Sequence, residues 1–335
     1  MLHRFTKFVA GCTVLLVLAG SLVTSTDSGL SVPDWPTTYG WNMFTFPPSK
    51  WVGGIFYEHG HRLIASSVGF LTIVLAVWLW MIEPRRWMKW LGVGALGAVI
   101  AQGVLGGLTV MFFLPAPIST AHAGLAEIFF CMTVAIALFT SRGWIDGYNG
   151  HVVDDAALRR IATTTTALIF CQILVGATMR HTGAGLAIPD FPLMFGHLWP
   201  THWDSKIAVH FAHRLGALFV AIAILWTAFA VFGRTRLGEL RRPAALLVGL
   251  VVVQITLGAL TVLSKRDVWI NSVHVVCGAL VLTTSLVLTL RTWRAKFARV
   301  VRHDVRSVRL QTDAGPLQPD QVRLKADTTY RKARA

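Results

Sequence analysis

Apolar residues along this chain do not alternate with polar ones. They run together in stretches of about 20, separated by short polar segments rich in Arg, Trp and Pro. A hydrocarbon core about 30 Å thick takes roughly 20 residues of helix to cross. The runs predict helices near 8–25, 60–80, 90–113, 119–140, 161–180, 207–231, 243–263 and 270–290. Lipid offers no partner to backbone N–H and C=O groups, so spans of this kind fold as helices. The first run follows Arg4 and Lys7, shows no small-residue cleavage site and is read as a retained helix, not a removable signal.

The pattern repeats. Thr-Asp-Ser-Gly-Leu-Ser-Val-Pro-Asp-Trp-Pro (26–36) returns as Thr-Gly-Ala-Gly-Leu-Ala-Ile-Pro-Asp-Phe-Pro (182–192), an offset of 156 that also relates Gly40 to Gly196. Further on, His61-Arg62-Leu63 returns as His213-Arg214-Leu215, Gln102 as Gln254, Leu108-Thr109-Val110 as Leu260-Thr261-Val262, and His122 as His274, all at an offset of 152. One net deletion of four residues in the second long loop accounts for the change of offset. Each repeat holds four spans, an even number, so the halves run parallel. The expected fold is an all-α integral membrane protein: eight transmembrane helices as two pseudo-twofold-related four-helix bundles. Its parts are an N-terminal half (1–146), a C-terminal half (155–295) and a basic tail (296–335), expected to be largely irregular past about 305.

Composition agrees: 54% of residues are hydrophobic and 14% charged, against about a quarter charged in soluble domains. The net charge of +15 would suggest nucleic acid, but its placement argues otherwise. Twelve of the 31 Lys and Arg lie from Arg291 onward, and most others sit in short loops, so the basic face meets anionic lipid and no nucleic acid is expected. One set of loops carries Arg85, Arg86, Lys89, Arg142, Arg159, Arg160, Arg234, Arg236, Arg241 and Arg242; the opposite set holds only Lys50, Arg180, Lys206, Lys265 and Arg266. The positive-inside rule then places both termini in the cytoplasm and the long loops 26–57 and 181–206 outside. The four cysteines (Cys12, Cys131, Cys171 and Cys277) each lie in an apolar run, with no CxxCH motif, which argues against covalent heme attachment and against a structural disulfide.

Of twelve histidines, four change the picture. His61, His122, His213 and His274 fall on the second and fourth span of each half. They lie 19, 18, 19 and 17 residues from the cytoplasmic ends of their helices. At 1.5 Å per residue all four sit roughly 26–29 Å above that edge. A lone intramembrane histidine is more often a packed, hydrogen-bonded residue than a ligand. Two matched pairs favour bis-imidazole ligation of a heme iron, each ring reaching the metal from one face of a flat macrocycle. Zinc asks for more ligands than a pair supplies, and a proton relay stays open.

Glu58 lies three residues before His61, on the same helical face, and its counterpart in the second half is His210. It is either a reactive acid beside one pair or a carboxylate solvated at the helix mouth. Glu127 lies deep in the fourth span, an expensive place for a charge, about 140° round the helix from His122, and is expected to pair or to carry a proton. Arg62 and Arg214 follow the histidines, either snorkelling to headgroups or meeting a heme propionate. Gly106, Gly107 and Gly258 permit close helix packing, and Asp34 and Asp190 are expected to shape their loops by capping backbone N–H groups.

On these residues the chain resembles the heme A synthase family of cytochrome oxidase assembly enzymes. The resemblance covers roughly residues 5–295 and rests on the 26–36 motif, Glu58-His59-Gly60-His61-Arg62, Arg180-His181-Thr182-Gly183-Ala184-Gly185-Leu186, His213-Arg214, His122 and His274. It implies that heme O is oxidised to heme A, a ring methyl becoming a formyl group through two hydroxylations and loss of water. It implies substrate heme on His61 and His122, a resident heme b on His213 and His274, and Glu58 as the catalytic acid. Heme O synthase and oxidase assembly factors are the implied partners, and a homo-oligomer is compatible. Many relatives carry a cysteine pair around the first Pro-Asp-Trp-Pro, where this chain has Val32 and Thr38. A thiol role in electron transfer is therefore not expected here. The competing readings are a diheme cytochrome b that only carries electrons and a transporter built from a parallel repeat; the latter wants broken helices at matching places, and none is seen.

Overall fold

The computed structural model describes residues 1–145, 155–234 and 238–312. Eight of its helices are long and apolar enough to cross a membrane. They are α1 (Leu2–Ser25), α2 (Gly54–Ile82), α3 (Arg86–Met111), α4 (Ala116–Phe139), α6 (Ala156–His181), α7 (Ser205–Phe232), α8 (Gly238–Leu263) and α9 (Val268–Thr312), with a one-turn helix α5 (Arg142–Ile145) between α4 and α6. No β-strand forms among the described residues. Large apolar side chains such as Phe70, Trp80, Leu218 and Phe229 point outward, as lipid requires.

Helix boundaries depart from the hydrophobic runs where polar residues face inward. α2 begins at Gly54, not near 60, because Glu58 and His59 are buried against the first long loop. α3 ends at Met111, not 113, because Phe113 and Leu114 turn left-handed (φ 58° and 59°). Lys265 and Arg266 do the same after α8 (φ 53° and 68°), at an offset of 152. The last helix runs to Thr312; most of the tail expected to be disordered past about 305, residues 313–335, lies outside the described residues.

Each half is a closed ring of four helices. α1 packs on α2, α2 on α3, α3 on α4 and α4 on α1; α6, α7, α8 and α9 close in the same order. α2 and α4 therefore face each other diagonally, as do α7 and α9. The halves meet through α4 on α9, α1 on α9 and α4 on α6. Exchanging the halves maps this set of contacts onto itself, which is what a twofold axis along the bundle would produce. Each ring has its own apolar core, around Val68, Leu75, Met88 and Phe129 in one and Ile169, Ile224, Leu247 and Leu282 in the other. Arg180 of α6 ties the seam: it donates to the Ser21 carbonyl and the Ser25 hydroxyl of α1, both at 2.9 Å, and Ser272 of α9 meets the same hydroxyl at 2.9 Å.

Candidate functional site

The four histidines sit at the loop-bearing end of the bundles, on the diagonal helices. His61 of α2 and His122 of α4 stand on facing helices of the first ring, and His213 of α7 and His274 of α9 on facing helices of the second. All four rings are half-buried. Each rests on a glycine of a flanking helix. A Cβ added at Gly20 of α1 would come within 3.0 Å of His61 Cε1, and one at Gly106 of α3 within 3.3 Å of His122 Cε1. Gly176 of α6 and Gly258 of α8 stand in the same relation to His213 and His274, at 2.9 and 3.1 Å. Gly106 and Gly258 were expected to allow close packing; Gly20 and Gly176 carry the same role unforeseen, although their offset of 156 matches the loop repeat.

These features test what the pairs can hold. The Nδ1 atoms of His61, His122 and His274 are buried without a hydrogen-bond partner. Among the described residues no group of three or more His, Cys, Asp or Glu gathers into a metal site. Two imidazoles per ring, set on opposite helices and close to a glycine of a flanking helix, would suit the ligation of a heme iron by a histidine pair and not a zinc site, which needs more ligands. The residues fit the group.

Above each pair a long loop is clamped by an arginine. Arg62 Nη1 donates to the carbonyls of Asp34 (2.7 Å) and Thr37 (3.0 Å), and Nη2 to the carbonyl of Val32 (2.9 Å) and to Glu58 Oε1 (2.7 Å). Arg214 repeats this on Leu193 (3.0 Å), Ile188 (3.0 Å) and Asp190 (2.6 Å), while its Nε donates to His210 Nε2 (3.1 Å). A guanidinium has five N–H donors, and four are engaged on each arginine, so a propionate would find one left. Both arginines thus make the clamp, with one donor left on each.

Glu58 and His210 complete the two clamps alike. Glu58 Oε2 accepts from Val32 N–H at 2.7 Å, and His210 Nδ1 stands 3.3 Å from the Ile188 nitrogen; with one acceptor nitrogen the imidazole accepts from Arg214 or from Ile188, not from both. Both side chains are buried, Glu58 at 3% and His210 at 2% exposure, so Glu58 is not a solvated carboxylate at a helix mouth. Asp34 and Asp190 shape the loops as expected, accepting from Tyr39 and Gly40 N–H and from Phe195 and Gly196 N–H at 2.7–2.8 Å. Burial pushes the Asp34 carboxyl up, but the hydrogen bonds from Gly40, Thr37 and Tyr39 outweigh it and hold it below the usual range. At Asp190 the Gly196 N–H is the largest influence, again downward.

Several neighbours escaped the sequence. His59 is fully buried, its Nδ1 3.1 Å from the Thr38 hydroxyl and its ring between Phe46 and Trp51. Its repeat counterpart is Phe211, which packs on Trp199 and Trp203, so each half has its own aromatic cluster at this place. Trp35 lies over Gly107, where a Cβ would come 2.5 Å from the indole, and so brings the first loop down beside Gly106 and His122. Glu127 is 5% exposed with Oε2 unpartnered, so the expected pairing is absent among the described residues. The four cysteines are free thiols.

Residues 3–286 match the family described as cytochrome oxidase assembly protein. Similar curated proteins are named heme A synthase. That of Symbiobacterium thermophilum is 29% identical over 270 residues, covering 78% of this chain and 85% of its own. That of Halalkalibacterium halodurans is 27% identical over 295 residues (84% and 95%), and that of Geobacillus kaustophilus 28% over 310 residues (88% and 94%).

Proposed function

The chain belongs to the family of cytochrome oxidase assembly proteins, and on that footing we propose that it is a heme A synthase, oxidising a methyl group of heme O to a formyl group. The observation that carries the reading is the duplicated pair of imidazoles, each ring on a glycine floor inside its own four-helix ring, with an acid beside one pair alone. Heme iron supplies the one-electron and oxygen chemistry when bound. The chain supplies position and enclosure. His61 and His122 hold the substrate in the N-terminal ring, and His213 and His274 hold a resident heme b in the C-terminal ring. Arg62 and Arg214 fix the outer loops over the two rings, and Trp35 on Gly107 narrows the mouth of the first. Glu58 is the acid that orients substrate and handles protons there. The protein works in the plasma membrane with both termini cytoplasmic, beside the enzyme that makes heme O.

One observation favours a second reading, a diheme cytochrome b that carries electrons only. Glu58 fills the same place between loop and arginine as His210, so its place in the fold requires no chemistry. Extraction of pigments from cells co-expressing the chain with a source of heme O separates the two. New heme A supports the synthase; unchanged heme B and heme O support the carrier.

A further inference from the structure

At the Arg-rich end of the molecule the repeat leaves one groove filled and its counterpart open. In the N-terminal half, side chains close the groove between α3 and α4. Trp87 packs edge-on against Phe139, ring centroids 5.0 Å apart, and Met132 lies over Gly94, where a Cβ would come within 3.1 Å of its methyl. At an offset of 152 these residues become Glu239, Arg291, Thr284 and Leu246. There a cleft of about 780 Å³ stays open between α8 and α9, with Val134 of α4 in its wall.

The cleft has a charged rim and an apolar floor. Arg242 of α8 and Arg291 of α9 stand at the rim with Glu239. The apolar spans of these helices run Glu239–Leu263 and Val268–Arg294, which puts the rim at the membrane edge. One turn deeper on each helix come Leu246 and Val287. Leu246 is 55% exposed, so the floor faces lipid. Arg291 Nη1 donates to the Glu239 carbonyl at 3.1 Å, which joins the two sides of the rim.

We propose that this cleft seats an anionic phospholipid, with its phosphate between Arg242 and Arg291 and an acyl chain along Leu246, Val287 and Val134. Charge complementarity selects the occupant. Two guanidiniums against one carboxylate leave the rim net positive, and planar N–H donors match phosphate oxygens. Basic pockets between transmembrane helices take lipid headgroups in this way. Glu239 accepts from headgroup hydroxyls, which makes phosphatidylglycerol the apt probe. Because α4 belongs to one half and α8 and α9 to the other, the lipid braces their seam. The plainer role for the arginines is snorkelling into bulk headgroups. That role accounts for cations at this end, but not for an open two-arginine cleft where the other half packs Trp87 on Phe139.

The test uses the full-length protein in detergent, titrated with phosphatidylglycerol or phosphatidylcholine and read by native mass spectrometry. Wild type is expected to hold phosphatidylglycerol the more tightly. Arg242→Gln and Arg291→Gln should each weaken that binding roughly fivefold and leave phosphatidylcholine unaffected. Glu239→Trp/Arg291→Phe writes the filled groove into this half and should abolish the tight site. Arg160→Gln removes an exposed arginine on α6 at the same end and should change nothing. Equal binding of the two lipids by wild type overturns the proposal, whatever the variants do. Equal losses in Arg242→Gln, Arg291→Gln and Arg160→Gln overturn it too, since the basic end then meets lipid as a surface and not at a site. Glycerol phosphate displacing the bound lipid as well as phosphatidylglycerol does would reveal an anion site with no use for acyl chains, and would equally overturn it.

Discussion

Glu58 and His210 stand at equivalent places, one ring apart. The carboxylate accepts from a loop N–H and from the clamping arginine at once; a neutral imidazole has one acceptor nitrogen, so His210 fills the same place between loop and arginine but accepts from only one of the two. This makes Glu58→His an unusually direct test, since it writes the C-terminal solution into the N-terminal ring. The variant should fold and carry the wild-type amount of heme b while losing most heme A formation. Glu58→Gln should behave alike, because its amide also accepts from Val32 N–H. Pigment extraction with heme quantitation gives the answer, and wild-type heme A from Glu58→His would return Glu58 to a purely structural role. At this scale the sequence was legible where chemistry and repeat coincided: the four histidines, the Glu58/His210 exchange and the two loop aspartates. It was silent where a residue answers to a loop far away in the chain. The donors of Arg62 and Arg214 are taken by carbonyls more than 20 residues away in the chain, which no local pattern announces.

The helices contribute through what they leave out. The four ligand rings lie against helix backbone at Gly20, Gly106, Gly176 and Gly258, so flanking helices set how far each imidazole leans into its ring. α8 offers an internal control. Gly258 meets His274 Cε1 at 3.1 Å, whereas nothing lies within 4 Å of the Cβ position of Gly249. Gly258→Ala should push His274 off its floor and lower heme b per protein several-fold, read from the reduced-minus-oxidised spectrum. Gly249→Ala should leave it unchanged; equal heme loss in both variants would mean that general helix packing, not the imidazole floor, is at stake. Periodicity could not find these floors, because a glycine in a membrane helix also serves ordinary close packing. The signal that marks Gly20 and Gly176 is the repeat, since the offset of 156 that relates the two long loops relates these glycines as well. Helix starts were hidden for a related reason: the polar residues that open α2 are buried under a loop, so a hydropathy run begins after the helix does.

Two parallel rings in one chain make a molecule with a direction. The long loops, the clamps and the histidines all lie at one end, and the Arg-rich connections lie at the other, so orientation decides which side of the membrane supplies substrate and protons. A reporter fused after Arg85 should be cytoplasmic and one after Pro47 external; a cytoplasmic signal at Pro47 would invert the molecule. The repeat gives each ring one histidine pair of matched depth, and nothing in the helix order distinguishes them. What distinguishes them is local: Glu58 against His210. A substrate ring has to admit, hold and release, and a reactive group beside its ligands suits that cycle. A resident heme needs only tight axial ligation. On this division of labour His213→Ala and His274→Ala should yield folded protein depleted of heme b. His61→Ala and His122→Ala should keep heme b yet fail to make heme A, with heme O or a hydroxylated intermediate accumulating in extracted pigments. Equal loss of heme b from all four folded variants would mean that the rings are equivalent, and that the local difference beside their histidines does not specialise them.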